Sequence, residues 1–437
     1  MPHFAIRSLA APLALLFVLG AAAPREQLSP AAITDAHIVN ELLTRTFYKP
    51  LTEQTVLGGM RSGIVAYLGA HKLHASLPAP QAQDQRDPQA YFARIVQSAV
   101  SQTGASSSVV SYAALHGMAL SANDRWTEYF DPDEFKQFDS ALDPPDISGI
   151  GVLLNVDPKS KCGTAFFVIP QSPADRTGIE SGDLITAIDG TPVCGLAQPL
   201  ISKRLRGTTG STVNVTVRRG DSTKDFAITR APVQVPTVYF RMLPGAIAYI
   251  NVFVFGSPTP AEFSEALRRM QALGARGYIL DLRDDGGGYV LSAVSIASHF
   301  ISSGPIFSTV SKQGEITTDT DAEPPQVSAP LAVLVNQNTA SASEITASAL
   351  QENQVAEVIG TRTFGKGVEQ TVSRLPDGSA VKITTARYVT AQNHDLNGVG
   401  LQPDLHVNEN PSAQFGQIGK DAQLQAALTY LQSKLPS

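Results

Sequence analysis

Two kinds of side chain in the stretch 331–370, LAVLVNQNTASASEITASALQENQVAEVIGTRTFGKGVEQ, could together break an acyl bond: a serine and a lysine. An apolar, β-branched run at 331–335 reads as a buried strand and empties through 336–339 into a serine-rich helix start that holds Ser341 and Ser343. Downstream, Lys366 stands between Gly365 and Gly367, where little side-chain bulk obstructs a close approach. A serine hydroxyl becomes a nucleophile when a base takes its proton, and a lysine kept neutral by burial does this as histidine does in the familiar triad. Because a free lysine titrates at about 10.4, such a base must be shifted down by about 3 units, a bias of roughly 4 kcal/mol against its charged form. Apolar surroundings such as Phe364 and the 331–335 strand would supply that shift. The same residues also have a purely structural interpretation. Ser341 with Glu344 three residues on is a capping box, and a lysine beside glycines is commonly a solvated loop residue.

A serine at a helix N-terminus places the next N–H, here that of Ala342, and the helix dipole beside a developing oxyanion. A second donor is then required. The segment 278–290, YILDLRDDGGGYV, supplies a hydrophobic strand ending in three glycines, which let backbone N–H groups come close to a ligand.

TASASEI at 339–345, TFGKG at 363–367 and Gln370 resemble the active-site signature of the carboxyl-terminal processing, or tail-specific, proteases. That family separates nucleophile and lysine by 25 residues, and 366 minus 341 is 25. The resemblance therefore selects Ser341 over Ser343 and implies a triad of Ser341, Lys366 and Gln370, the glutamine orienting the lysine amine. The family loop reads Asp-Leu-Arg-Asn-Asn-Pro-Gly-Gly, and its glycine completes the oxyanion hole; carried over, that donor is Gly287, beside Ala342. Asp284 and Asp285 replace the two asparagines and Gly286 the proline, so Gly287 and Gly288 both stay open as the donor. The resemblance covers most of the chain from about residue 36 to 435 and implies an α/β fold: a crotonase/ClpP-like protease core with a mixed sheet, an inserted PDZ β-domain and a helical N-terminal region.

At the start of the chain, His3 and Arg7 precede an apolar run at 9–18 that ends in Gly20 and Ala21–Ala23. This is the pattern of a secretory signal peptide over residues 1–23, with cleavage after Ala22 or Ala23. A membrane anchor is the alternative, although Pro12 interrupts the run and a span needs about 20 residues. The balance of 33 basic against 39 acidic side chains, net −6, excludes a nucleic-acid partner, which requires clustered Lys and Arg. Cys162 and Cys194 are the only cysteines. In an exported chain an even count favours a disulfide, two buried thiols being the alternative. Scattered histidines and the lack of a His-Glu-x-x-His motif point to no metal and no cofactor.

Between the signal peptide and the protease core, residues 24–145 form a helical region, with helix-like spacing over 31–70 and 91–100 separated by the proline-rich 78–88. The only tryptophan, Trp126, is expected in the core. Residues 146–235 resemble a PDZ domain: Ser148, Gly149, Ile150 and Gly151 stand in the carboxylate-binding loop ahead of a strand at 152–156. SPADRTGIESGDLITAIDGTPV at 172–193 then matches the short helix, turn and strand of that module. Successive N–H groups there form a nest for a terminal carboxylate, while the exposed strand edge takes the peptide as an added strand. From 236 to 437, strands and helices alternate as an α/β core, with 286–288 and Ser341 each just past the carboxyl end of a strand, where open α/β sheets place ligands. Residues 421–435 repeat Leu424, Leu428, Leu431 and Leu435 as an amphipathic helix. The expected protein is an exported serine endopeptidase of the periplasm or cell envelope. Its partners would be protein substrates with free, apolar carboxyl termini.

Overall fold

The computed structural model describes residues 28–144, 146–157, 159–321, 325–409 and 419–435. The expected signal peptide, 1–23, lies outside the described residues. Of the described residues, 28–41 and 52–121 form one compact unit, and 42–51 with those from 122 onward form a second.

The single helical run expected over 31–70 is broken, ending at Thr46 and restarting at Glu53 as the helix Glu53–Ala70 of the first unit. Pro50 interrupts the amide pattern there, and Thr52 caps the new helix by accepting from the Thr55 N–H at 3.2 Å. Two more helices follow, Pro88–Thr103 and Ser107–Leu120. Gly59 and Gly63 face Gly117 so closely that a Cβ on any of them would meet backbone oxygen or Cα atoms, which brings the helices Glu53–Ala70 and Ser107–Leu120 into backbone contact.

The second unit is α/β. A six-stranded sheet runs Val238–Leu243, Ile247–Val252, Gly277–Asp281, Leu331–Val335, Ala356–Gly360, Leu405–His406, parallel throughout except for the antiparallel first pair. The two central strands, Gly277–Asp281 and Leu331–Val335, are buried along their whole length, which is why they read as continuous apolar runs and not as alternation. Helices Thr259–Ala272, Val290–Ser298 and Ala342–Glu352 cover the sheet and share one large apolar cluster with it, built around Phe255, Phe263, Ile296, Val333 and Ile345. The C-terminal helix Ala422–Lys434 adds Leu424, Ala427 and Leu431 to a second cluster that also holds Ile279 and Leu334. A further sheet centres on the long strand Ala380–Thr390, which carries Val368–Arg374 along one edge and Glu128–Phe130 and Gly304–Val310 along the other.

The region expected to be PDZ-like is a five-strand path with a short side strand around its own core, Ile185, Val213, Val215 and Ile228 among its most buried members. Cys162 and Cys194 are disulfide-bonded, which resolves the two alternatives left by the sequence. Its Phe167 packs edge-on against Tyr239 of the six-stranded sheet, with ring centroids 4.6 Å apart.

Candidate active site

Leu331–Val335 and Gly277–Asp281 are neighbouring parallel strands, so the loops at their carboxyl ends emerge side by side. One carries Ser341 and the other Gly286–Gly288. Thr339 ties them together: its hydroxyl donates to the Leu282 carbonyl at 2.8 Å and accepts from the Asn336 N–H at 2.9 Å. Asp284, at φ 61°, is held by Asn336 and Asn338, whose amides donate to its carboxylate at 3.0 and 2.7 Å. Arg283 leaves the site altogether and pairs with Asp281 at 2.6 Å and Asp421 at 2.8 Å, fastening the strand end to the C-terminal helix.

The two candidate serines have different environments. Ser343 is fully buried and its hydroxyl donates to the Asp285 carbonyl at 3.2 Å. Ser341 lines an open groove of about 880 Å³, and its backbone sits at φ 60°, ψ −118°. A serine that only caps a helix takes an extended conformation. A non-glycine residue at positive φ instead carries backbone strain of order 1–3 kcal/mol, which persists only where the surroundings enforce it and is characteristic of a nucleophile held on a sharp strand-to-helix turn.

Glu344 is what enforces it. This fully buried carboxylate accepts the Ser341 N–H at 2.9 Å, the Gly365 N–H at 2.8 Å and the Lys366 N–H at 2.9 Å, and also the Thr363 hydroxyl. One side chain thereby fixes both the serine turn and the lysine loop. The capping-box pattern was visible in the sequence, but the contacts with 363–366 were not. Tyr388, also buried, adds a second link by donating to the carbonyl of Lys366 and lying 3.4 Å from that of Ser341.

Lys366 lines the same groove as Ser341. Burial lowers its amine to about 8, helped by the nearby Lys382 and Arg125 cations and opposed by Glu344 and Asp124. The expected apolar neighbour, Phe364, is exposed and meets Trp126 edge-on at 6.1 Å. Trp126 itself is the ring beneath the lysine, with Nζ 4.6 Å from its centroid. The tryptophan expected in the core is therefore only partly buried and belongs to the site. Its sequence offered no signal for this, because Trp126 and Lys366 meet only through strand pairing of Glu128–Phe130 with Ala380–Thr390.

Gln370 lines the groove, but its amide donates to the Val368 carbonyl at 3.2 Å and reaches Thr384 Oγ1 at 3.5 Å, not the lysine. Gly287, at φ 95°, is pressed against the serine turn; a Cβ there would lie 2.8 Å from the Ala342 nitrogen and 2.8 Å from Ser341 Cβ, so no side chain fits. Its N–H does not face the groove, because it donates to the Asp285 carboxyl at 2.8 Å. Among the described residues the N–H groups of Ala342 and Gly288 have no acceptor.

In the PDZ domain, Gly149, Ile150 and Gly151 line a cavity of about 140 Å³ together with Leu205, Arg206 and Val233. Ser148 does not; its hydroxyl bonds Thr209 Oγ1 at 2.8 Å. The strand Val152–Val156, which lies beside the cavity, is at the edge of its sheet and among the described residues pairs only with Gly163–Val168. Arg206 at the cavity adds a cation suited to a carboxylate, a contribution the sequence motifs did not single out.

A profile of the PDZ domain matches residues 149–229, and a profile of Peptidase family S41 matches residues 246–407. Fold, groove and profiles define a serine peptidase that carries a PDZ domain ahead of its catalytic core. The chain is 35% identical over 327 residues to a carboxyl-terminal-processing protease of Picosynechococcus, which covers 73% of this chain and 78% of that one. A carboxyl-terminal-processing protease of Synechocystis is 33% identical over 328 residues, 73% of this chain and 76% of the relative. The protein belongs to the carboxyl-terminal-processing proteases of family S41. In fold it is also like a solved putative S41 protease from Bacteroides fragilis, with a TM-score of 0.52 at 15% identity over 91% of this chain and 98% of that chain.

Proposed function

We propose that this protein is an exported serine endopeptidase that uses a Ser341–Lys366 pair to cut proteins held by their carboxyl termini in the PDZ domain. The observation that carries the proposal is the strained Ser341 turn, opening onto a groove that also holds a lysine whose amine is lowered to about 8. Ser341 attacks the scissile carbonyl while neutral Lys366 takes the hydroxyl proton and then returns it to the leaving amine. The Ala342 N–H and a donor from the glycine turn hold the oxyanion. Gln370 orients the lysine once its amide turns from Val368 toward the amine. A terminal carboxylate is held by the N–H groups at 149–151 and by Arg206, with the peptide extending the free edge of Val152–Val156. The disulfide supports an oxidising compartment such as the periplasm or cell envelope.

The test uses an unfolded protein substrate with a free or an amidated carboxyl terminus. Ser341→Ala should abolish cleavage and Ser343→Ala should retain most of it. Amidation, which removes the charge from the bound terminus, should weaken binding roughly tenfold or more. Cleavage by Ser341→Ala refutes the nucleophile; equal binding and cutting of both substrate forms refutes carboxyl-terminal capture.

A further inference from the structure

Asp285 touches the serine turn with its backbone and the glycine turn with its side chain. Its backbone carbonyl accepts from the serine turn twice, from the Ala340 N–H at 3.0 Å and the Ser343 hydroxyl at 3.2 Å. Its side chain, wholly shielded from solvent, turns the other way and takes the Gly287 N–H at 2.8 Å on Oδ1, while Oδ2 has no partner among the described residues. Two residues, Asp285 and Gly287, thus close a tight side-chain-to-backbone ring against the nucleophile.

The consequence concerns which peptide N–H can meet an oxyanion. Gly287 N–H is engaged, and the Gly287 carbonyl accepts from the Phe255 N–H at 3.0 Å while the Tyr289 N–H donates to the Phe255 carbonyl at 2.7 Å. Extended backbone alternates the direction of its N–H groups, so with Tyr289 aimed at residue 255 the Gly288 N–H points the opposite way. The Ala342 N–H, at the head of the helix that follows Ser341, is likewise without an acceptor among the described residues.

We infer that Asp285 is a positioning residue that pins Gly287 N–H and thereby presents the Gly288 N–H, with that of Ala342, as the oxyanion donors. It rests on Ser341 being the nucleophile. Burial raises the Asp285 carboxyl well above the ordinary carboxylate range, which favours its neutral form. An asparagine, with the same shape and an equivalent carbonyl acceptor, should replace it.

The experiment compares Asp285→Asn, Asp285→Val and Asp285→Ala in the full chain, with Ser341→Ala in the same assay. Asp285→Asn should keep kcat within about threefold, whereas the valine and alanine variants should lose on the order of a hundredfold in kcat with KM little changed, the cost of one misplaced oxyanion donor. A kcat within threefold of the parent in a folded valine or alanine variant overturns the inference, as does an Asp285→Asn variant as impaired as they are. If neither apolar variant folds, the unmodified protein is labelled at glycine and alanine nitrogens and a peptide aldehyde is added. The Gly288 and Ala342 amides should shift while Gly287 does not; a shift at Gly287 without one at Gly288 overturns it. Activity in Ser341→Ala would instead defeat the underlying nucleophile assignment.

Discussion

Replacing Lys366 by methionine should stop cleavage and, at neutral pH, make the protein more stable. The fold lowers this amine from 10.5 to about 8, chiefly by burial. That displacement corresponds to about 3 kcal/mol against the ammonium in the folded state. The Trp126 face, 4.6 Å from Nζ, returns roughly 1 kcal/mol. Methionine keeps the length of the stem without the charge, so Lys366→Met should gain about 2 kcal/mol at pH 7. The sign follows from proton binding. Below about 8 both folded and unfolded lysines are charged, and the fold bears the full cost. Between about 8 and 10.5 the unfolded lysine holds a proton that the folded one has lost, so the parent protein gains stability as pH rises. Above 10.5 the cost is gone and the two proteins should converge. Urea unfolding of parent and variant at stepped pH measures this directly. In parallel, kcat/KM of the parent should rise about tenfold per pH unit below about 8 and level off above it, as the neutral amine becomes available. A variant less stable than its parent at pH 7, or an advantage that does not shrink with rising pH, would show that the lysine is not held against its charge.

Two further substitutions probe the scaffold. Glu344→Ala strands the N–H groups of Ser341, Gly365 and Lys366 in the interior, at about 1–3 kcal/mol each, so melting temperature and cleavage should fall together; an active variant with an unchanged melting temperature would remove Glu344 from its place as the link between serine and lysine. Replacing Cys162 and Cys194 together by serine opens a loop of sequence separation 32, which should cost about 3–4 kcal/mol on chain-entropy grounds. An unchanged urea midpoint, with peptide binding intact, would count against a stabilising role for the bond.

What the sequence determined by itself was what is written locally. The apolar run before a serine-rich helix start announced a buried strand and the turn after it, and both lie as expected at Leu331–Val335 and Ala342–Glu352. The PDZ strand at Val152–Val156 and the glycine turn after Gly277–Asp281 were legible for the same reason, since strand period, capping pairs and glycine clusters act over a few residues. Tertiary structure alone decided how these pieces meet. Only the folded backbone shows Ser341 at positive φ, where a capping serine would be extended, and only the packing of loops 52 residues apart explains why Asp284 holds its own strained conformation. Trp126 lies under Lys366 because a short strand near residue 128 pairs with one near 382, and Asp285 takes the Gly287 N–H because the serine turn presses from the other side. Such contacts depend on which surfaces a sheet brings together, and no spacing along the chain encodes them.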